Sequence, residues 1–185
     1  ITGGGTGLGK SIGLRYVELG ANLVICGRRK EVLEQTAKEF KDSLGVSIET
    51  HVCDVRDAKA VESMMDAIWA MGPLDVLLNN AAGNFLARTE RLSTRAFDAV
   101  VDIVLKGSAY CTMDVGRRWI EAERKGTVMQ ILTQSAMTGM PFTVPSAMAK
   151  AGALAMIRSL AVEWGPYGIR TVGVVPGPFP TEGAW

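Results

Sequence analysis

Ile1-Thr2-Gly3-Gly4-Gly5-Thr6-Gly7-Leu8-Gly9-Lys10 opens the chain with residue types suited to holding an anion. Two strand-like residues run into a glycine-rich turn, with Gly3, Gly7 and Gly9 at G-x-x-x-G-x-G spacing, and an amphipathic pattern starts behind it. Glycines there permit a tight turn, close backbone approach to a phosphate and close packing of helix on sheet. The helix start adds unpaired N–H groups and a positive dipole end. Such a turn taken alone also reads as an ordinary flexible loop. It gains weight because later segments ask for the same ligand.

The elements that position this turn must come from 185 residues of 48% apolar content, enough for one buried α/β domain. A formal charge of +1 offers no global field for nucleic acid or an anionic membrane, so neither is expected as a partner. Cys26, Cys53 and Cys111 are an odd count without CxxC spacing, which suggests neither a metal site nor a disulfide framework. They read as core residues in a soluble, reducing compartment, the cytoplasm for a bacterial source. No apolar run approaches the roughly 20 residues of a membrane span, and no signal peptide is seen. The chain starts inside a strand without Met and stops at Trp185 soon after a strand-like run. It therefore reads as one domain over 1–185, truncated at both ends: an incomplete first strand and a missing C-terminal part.

Periodicity predicts helices over about Lys10 to Leu19, Lys30 to Leu44, Asp57 (as cap) to Met71, Thr94 to Glu123 and Ser146 to Gly165. Short apolar strands alternate with them: Asn22 to Cys26, Ser47 to Asp54, Leu74 to Leu78, Gly126 to Leu132 and Arg170 to Val175. Strands apolar on both faces argue a doubly wound parallel sheet. The Ser146–Gly165 helix is rich in Ala and Gly, which would let a subunit neighbour approach closely.

Thr2-Gly3-Gly4-Gly5-Thr6-Gly7-Leu8-Gly9, Asp54-Val55, Asn79-Asn80-Ala81-Ala82-Gly83, Leu160-Ala161-Val162-Glu163-Trp164-Gly165 and Pro176-Gly177-Pro178 follow one another in that order. The ordered set resembles the short-chain dehydrogenase/reductase family over essentially the whole chain, implying a Rossmann-like fold. Asn79 to Phe85, Thr89-Glu90-Arg91-Leu92-Ser93 and Asp102-Ile103-Val104-Leu105-Lys106-Gly107 are most similar to the 2,4-dienoyl-CoA reductases, the mitochondrial-type branch above all. The resemblance implies an oxidoreductase of fatty acid metabolism, a small-molecule substrate such as an acyl-CoA, and a homo-oligomer, dimer or tetramer.

In such a sheet the ligand lies across the carboxyl ends of the strands. NAD binders place an acid at the end of the second strand for the ribose 2′-OH. Here that position is Gly27, followed by Arg28 and Arg29. A guanidinium can hold a 2′-phosphate that an acid would repel, so NADP(H) is the expected cofactor. The resemblance further implies that Asp54 and Val55 meet the adenine. It places Asn80, Ala81, Ala82 and Gly83 along the path to the ribose, and Pro176, Gly177 and Thr181 at the nicotinamide end.

The family pattern puts a tyrosine four residues before a lysine; the lysine positions the nicotinamide ribose and lowers the phenol's pKa. Here Ser146 stands four residues before Lys150. The mitochondrial-type dienoyl-CoA reductases place their tyrosine fifteen positions before the lysine, on the loop after the Gly126–Leu132 strand, and that position is Ser135. The peroxisomal-type relatives use an aspartate in the preceding helix, where this chain has Val104. Both phenol positions are thus serine, and a serine hydroxyl is a far weaker acid. Thr133, Ser135 and Ser146 could hold a water near Lys150, or simply bond backbone. Asn84, matching the family's catalytic asparagine, could hydrogen-bond a thioester carbonyl.

His51 and Tyr110 read as structural, and Arg88, Arg91 and Arg95 as a solvated cluster or a greeting for CoA phosphates. Met137, Met140 and Met148 suit either core filling or an acyl pocket. The leading expectation is NADPH-dependent hydride transfer to an unsaturated acyl thioester. A ketone/alcohol dehydrogenase and a non-catalytic NADP(H)-binding protein remain open alternatives, and a purely structural role leaves the glycines unexplained.

Overall fold

A computed structural model describes residues 1–177. Helices and strands alternate as α1 (Gly7–Glu18), β1 (Val24–Gly27), α2 (Lys30–Leu44), β2 (Glu49–Val52), α3 (Ala58–Met71) and β3 (Val76–Asn79). Next come α4 (Thr94–Val101) and α5 (Gly107–Glu121), joined by a π-helical turn over Asp102–Lys106. Then follow β4 (Gly126–Ile131), the short α6 (Ser135–Thr138), α7 (Val144–Trp164) and β5 (Ile169–Val174). The predicted Asp57 cap forms: its Oδ1 accepts from the N–H groups of Lys59 (2.9 Å) and Ala60 (3.2 Å).

All strand pairs are parallel: β1 with β2, β3 with β4, and β4 with β5. Ile1 and Thr2 knit the two groups into one sheet. Thr2 bridges Cys26 of β1 on one side, and its N–H donates to Leu78 O of β3 at 3.0 Å on the other. The order is β2-β1-(Ile1–Thr2)-β3-β4-β5, the doubly wound arrangement with its switch point at the glycine turn.

Alternation along the strands sends neighbouring side chains to opposite faces. Ile25 packs with Val17, Leu33 and Phe40, beneath α1 and α2. Cys26 packs on the other side with Met65, Leu77, Trp119, Val128 and Trp164, beneath α3, α5 and α7. Ile25, Cys26, Leu77 and Leu78 are buried on either face, so β1 and β3 carry no polar alternation. The outer strands differ: β2 is polar, and both it and β5 are largely half-buried or exposed.

Most element boundaries shift slightly from expectation, and the single helix expected over Thr94 to Glu123 is divided into α4 and α5 by the π turn. Two further differences bear on the site. Helix α1 begins at Gly7 rather than Lys10, because tertiary contacts to the turn override the poor helix propensity of glycine. Ser135 opens the short helix α6 rather than sitting on a loop. The small residues of α7 also serve an intrachain purpose. Ala149 packs with Val100 and Val104, and a Cβ on Gly152 would lie 3.0 Å from Leu105, so α7 lies tight against the π turn. Ala155, Ala161 and Val162 remain exposed on its other side. Among the described residues, no helix is long and apolar enough to cross a membrane.

Candidate functional site

A cleft of about 290 Å³ opens at the carboxyl ends of β1, β2 and β3. The glycine turn supplies Gly3, Thr6, Gly7 and Leu8, while Arg28 and Arg29 follow β1. Asp54 and Val55 follow β2, and Asn80, Ala81 and Ala82 follow β3. The sequence singled out every one of these. Gly9, Gly83, Lys150, Pro176 and Gly177 do not line this cleft, and Thr181 lies outside the described residues.

Side chains from β3 fix the turn. Asn80 Nδ2 donates to Thr2 O (3.0 Å) and Gly3 O (3.1 Å), and Thr2 Oγ1 accepts from the N–H groups of Asn80 and Ala81, both at 3.0 Å. Gly3 holds φ +63, a left-handed conformation that favours glycine. A Cβ on Gly9 would lie 2.4 Å from Asn80 Nδ2, so the helix start can approach only without a side chain. Thr6 caps α1 in extended conformation without a side-chain bond, and the first helical N–H with a backbone partner is Lys10, bonded to Thr6 O at 3.2 Å. Among the described residues the N–H groups of Thr6, Gly7, Leu8 and Gly9 have no intrachain acceptor. This is the donor array an anion needs.

Charge on the cleft is mixed. Arg28 and Arg29 are exposed. Asp54 is gripped by Arg56, whose Nε lies 2.9 Å from Oδ1 and Nη2 2.5 Å from Oδ2; these bonds hold its carboxyl below the usual range, and the field of Arg28 adds to the effect. The acid in the lining of the cleft is thereby already paired. Beneath the cleft, Cys26 and Cys53 form part of its floor. Burial raises both thiols, that of Cys53 to about 12, so they are protonated and unreactive near neutral pH.

Lys150 extends from α7 to the end of β4, where its Nζ donates to Ile131 O at 2.6 Å. It is 5% exposed, and loss of hydration lowers its pKa to about 8. Gln130 Nε2 shares the same carbonyl at 3.2 Å. Ser135 Oγ donates to Thr133 Oγ1 at 3.4 Å, bringing those two hydroxyls together just beyond β4. Ser146 sits one helical turn before Lys150 and is half-buried. Asn84 is exposed, and its Oδ1 accepts from the N–H of Phe85 at 2.9 Å, leaving its NH2 group to donate elsewhere. The segment after Asn84 is tied to the loop before α7 by a 3.1 Å bond from Ala87 N–H to Phe142 O. Phe85, Leu86, Met137, Met140, Phe142 and Met148 are all exposed there or on α7, so the three methionines are not core filling. Tyr110 does pack against the main core, His51 lies in β2, and Arg88, Arg91 and Arg95 are exposed.

The sequence did not mark Thr2 and Thr36, which support the turn through hydrogen bonds, or Ile103, which lines the cleft. A hydroxyl within the apolar stripe of α2 was the available signal for Thr36. Among the described residues, no cluster of three or more His, Cys, Asp or Glu side chains could hold a metal.

The family model described as short chain dehydrogenase matches residues 1–185. An uncharacterized oxidoreductase of Caenorhabditis elegans is 48% identical, covering 100% of this chain and 60% of its own length. A second protein of that organism, named probable 2,4-dienoyl-CoA reductase 3 [(3E)-enoyl-CoA-producing], is 46% identical with the same coverage. The chain thus spans about 60% of the length of these relatives. Among solved structures, a variant of actinorhodin polyketide ketoreductase with NADPH superposes with a TM-score of 0.94 at 29% identity, covering 100% of this chain and 71% of that one. With the glycine turn and the parallel sheet in their expected places, the chain belongs to the short-chain dehydrogenase family of oxidoreductases.

Proposed function

We propose that the chain carries the cofactor site and reacting centre of an NADP(H)-dependent reductase of unsaturated acyl thioesters. The observation that carries the cofactor assignment is the pair Arg28 and Arg29 on the cleft, behind Gly27 where an acid would mark NAD. The glycine cradle, closed to any Cβ at Gly9, and the unpaired N–H groups of Thr6 to Gly9 fit a dinucleotide pyrophosphate. Arg28 would grip the 2′-phosphate, with Arg29 beside it. Asp54 and Val55 would border the adenine, and Asn80 to Gly83 the path to the nicotinamide ribose. Pro176 and Gly177 are assigned to the nicotinamide end. The relative named as a dienoyl-CoA reductase and the NADPH-bound ketoreductase support this direction.

The bound cofactor would supply a hydride to the acyl chain. This chain's residues would do the rest. Asn84 donates to the thioester carbonyl, and Lys150 holds ribose hydroxyls with its buried ammonium. Thr133, Ser135 and Ser146 hold a water that delivers the proton. With serine at both tyrosine positions, proton delivery is the weak step. A conjugated dienoyl thioester spreads the charge left by the hydride over its π system, whereas a simple ketone concentrates it on one oxygen. That difference favours the dienoyl substrate over a ketone. The same two serines also favour a second reading, a protein that binds NADP(H) without turnover.

Titration with both reduced cofactors tests the first half. NADPH is expected to bind more tightly than NADH by about 10- to 100-fold, the worth of a bidentate charged contact. Arg28→Ala should erase most of that preference and leave NADH binding nearly unchanged; equal affinities in the unmutated protein overturn the assignment. Single-turnover NADPH oxidation by the full-length protein tests the second half. Slow oxidation with a 2,4-dienoyl-CoA and almost none with simple ketones is expected, and Ser135→Tyr should raise the dienoyl rate. Faster ketone reduction overturns the substrate ranking, and tight binding without any turnover selects the non-catalytic reading.

Lys150 gives a pH dependence. Its folded pKa of about 8 lies below the ordinary 10.5, so the unfolded chain binds more protons between those values and stability rises with pH across them. From pH 8 to 10.5 the unliganded protein should gain on the order of 3 kcal/mol relative to Lys150→Met. Parallel pH series of urea unfolding would measure this, and a constant difference would count against a buried, desolvated ammonium.

Exposed apolar residues on two helices support an assembly. Val162, 81% exposed, lies with Ala155 and Ala161 on the open side of α7, and Met113 is exposed on α5. We assign these helices to a homodimer or homotetramer interface. Sedimentation of the full-length protein at micromolar concentration should show the oligomer, and a strict monomer refutes it.

A further inference from the structure

Thr36 occupies the buried stripe of α2, between Leu33 and Phe40, and is 2% exposed. A hydroxyl in that stripe is costly unless it is bonded. Its bond is specific: Thr36 Oγ1 donates to Gly5 O at 2.8 Å. Asn80 secures Thr2 O and Gly3 O, and Cys26 O accepts from the N–H groups of Gly3 and Gly4. Between that point and the first helical bond at Thr6 O, the tie from Thr36 is the single hydrogen bond on the turn's backbone among the described residues.

A trans peptide holds its C=O and the following N–H antiparallel. Drawing Gly5 O toward α2 therefore turns the Thr6 N–H away from α2, at the start of the Thr6–Leu8 stretch that lines the cleft. Glycine has the most freedom to lose on ordering, so an unpinned Gly5 would leave the first donor of the array averaged over orientations. We infer that Thr36 is a positioning residue for the pyrophosphate of the bound dinucleotide, acting through the Gly5–Thr6 peptide without touching the ligand. The inference rests on the reading of the cleft as a nicotinamide-dinucleotide site.

The pyrophosphate is common to both cofactors, so Thr36 affects them alike, unlike Arg28. Titrations of the full-length protein with NADPH and with NADH should show Thr36→Val weakening both by about tenfold, the upper range of one net hydrogen bond, with the ratio of the two affinities unchanged. Thr36→Ser, which keeps the hydroxyl, should restore both. Thr36→Ala carries the same expectation as Thr36→Val should the valine variant fail to fold. A lowered melting temperature with wild-type affinities would make Thr36 a structural residue only and overturn the inference. Loss of NADPH affinity alone would also overturn it, by placing Thr36 at the 2′-phosphate. An unmutated protein that binds neither cofactor would instead overturn the reading of the cleft.

Discussion

The glycine turn and the cleft it lines depend on the clasp between Thr2 and Asn80. A turn of three consecutive glycines has no side chains with which to hold itself, and its freedom opposes any single shape. Four hydrogen bonds between the Thr2–Gly3 segment and the Asn80–Ala81 segment supply that shape from outside. They also stitch the two halves of the sheet at the switch point, since Thr2 stands between β1 and β3. The cleft and the continuity of the sheet thus share one set of contacts. A change that loosens Asn80 would disturb both, so its effect on ligand binding and on stability should not be separable.

The residues proposed for the reacting centre are arranged more loosely. Lys150 is fixed by burial and by its bond to Ile131 O, and the close packing of α7 against the π turn keeps it there. Asn84, by contrast, is exposed and bonded to its own neighbour, and Ser135 and Thr133 bond to each other. None of these three side chains is buried as Lys150 is. The rigid part of the site is therefore the part that would hold the cofactor, while the part that would meet substrate is open and rimmed by methionine and phenylalanine. Adaptable apolar side chains suit a flexible chain better than a compact polar ligand.

Much of this was legible in the order of residues. The alternation of apolar strands with helices predicts the parallel, doubly wound topology, because the central strands are covered on both faces and α2, α3 and α5 show a clear helical period. Gly27-Arg28-Arg29 and Asn80-Ala81-Ala82 could be placed on the cleft once the strands were placed. Contacts that depend on register were not legible. Thr36 reads as one hydroxyl in a helix until the turn is seen to lie against it, and nothing local marks α1 as starting at Gly7. The Ala and Gly residues of α7 suggested a partner helix, but Gly152 and Ala149 are used against the chain's own π turn. Small residues report close approach without naming what approaches.

The position of Ile1 and Thr2 in the middle of the sheet bears on how the chain can assemble. Thr2 meets Cys26, 24 positions later, and Leu78, 76 positions later. This segment is made before β3 and therefore waits, unpaired on one side, until the residues up to Leu78 have been made. Closing so long a loop is slow, and a parallel sheet offers no hairpin to begin it. In the interval β1 and β3 expose edges that could pair with another molecule. Conditions that slow the arrival of β3 during synthesis should be the ones that cost yield, even though the finished sheet has no gap at that place.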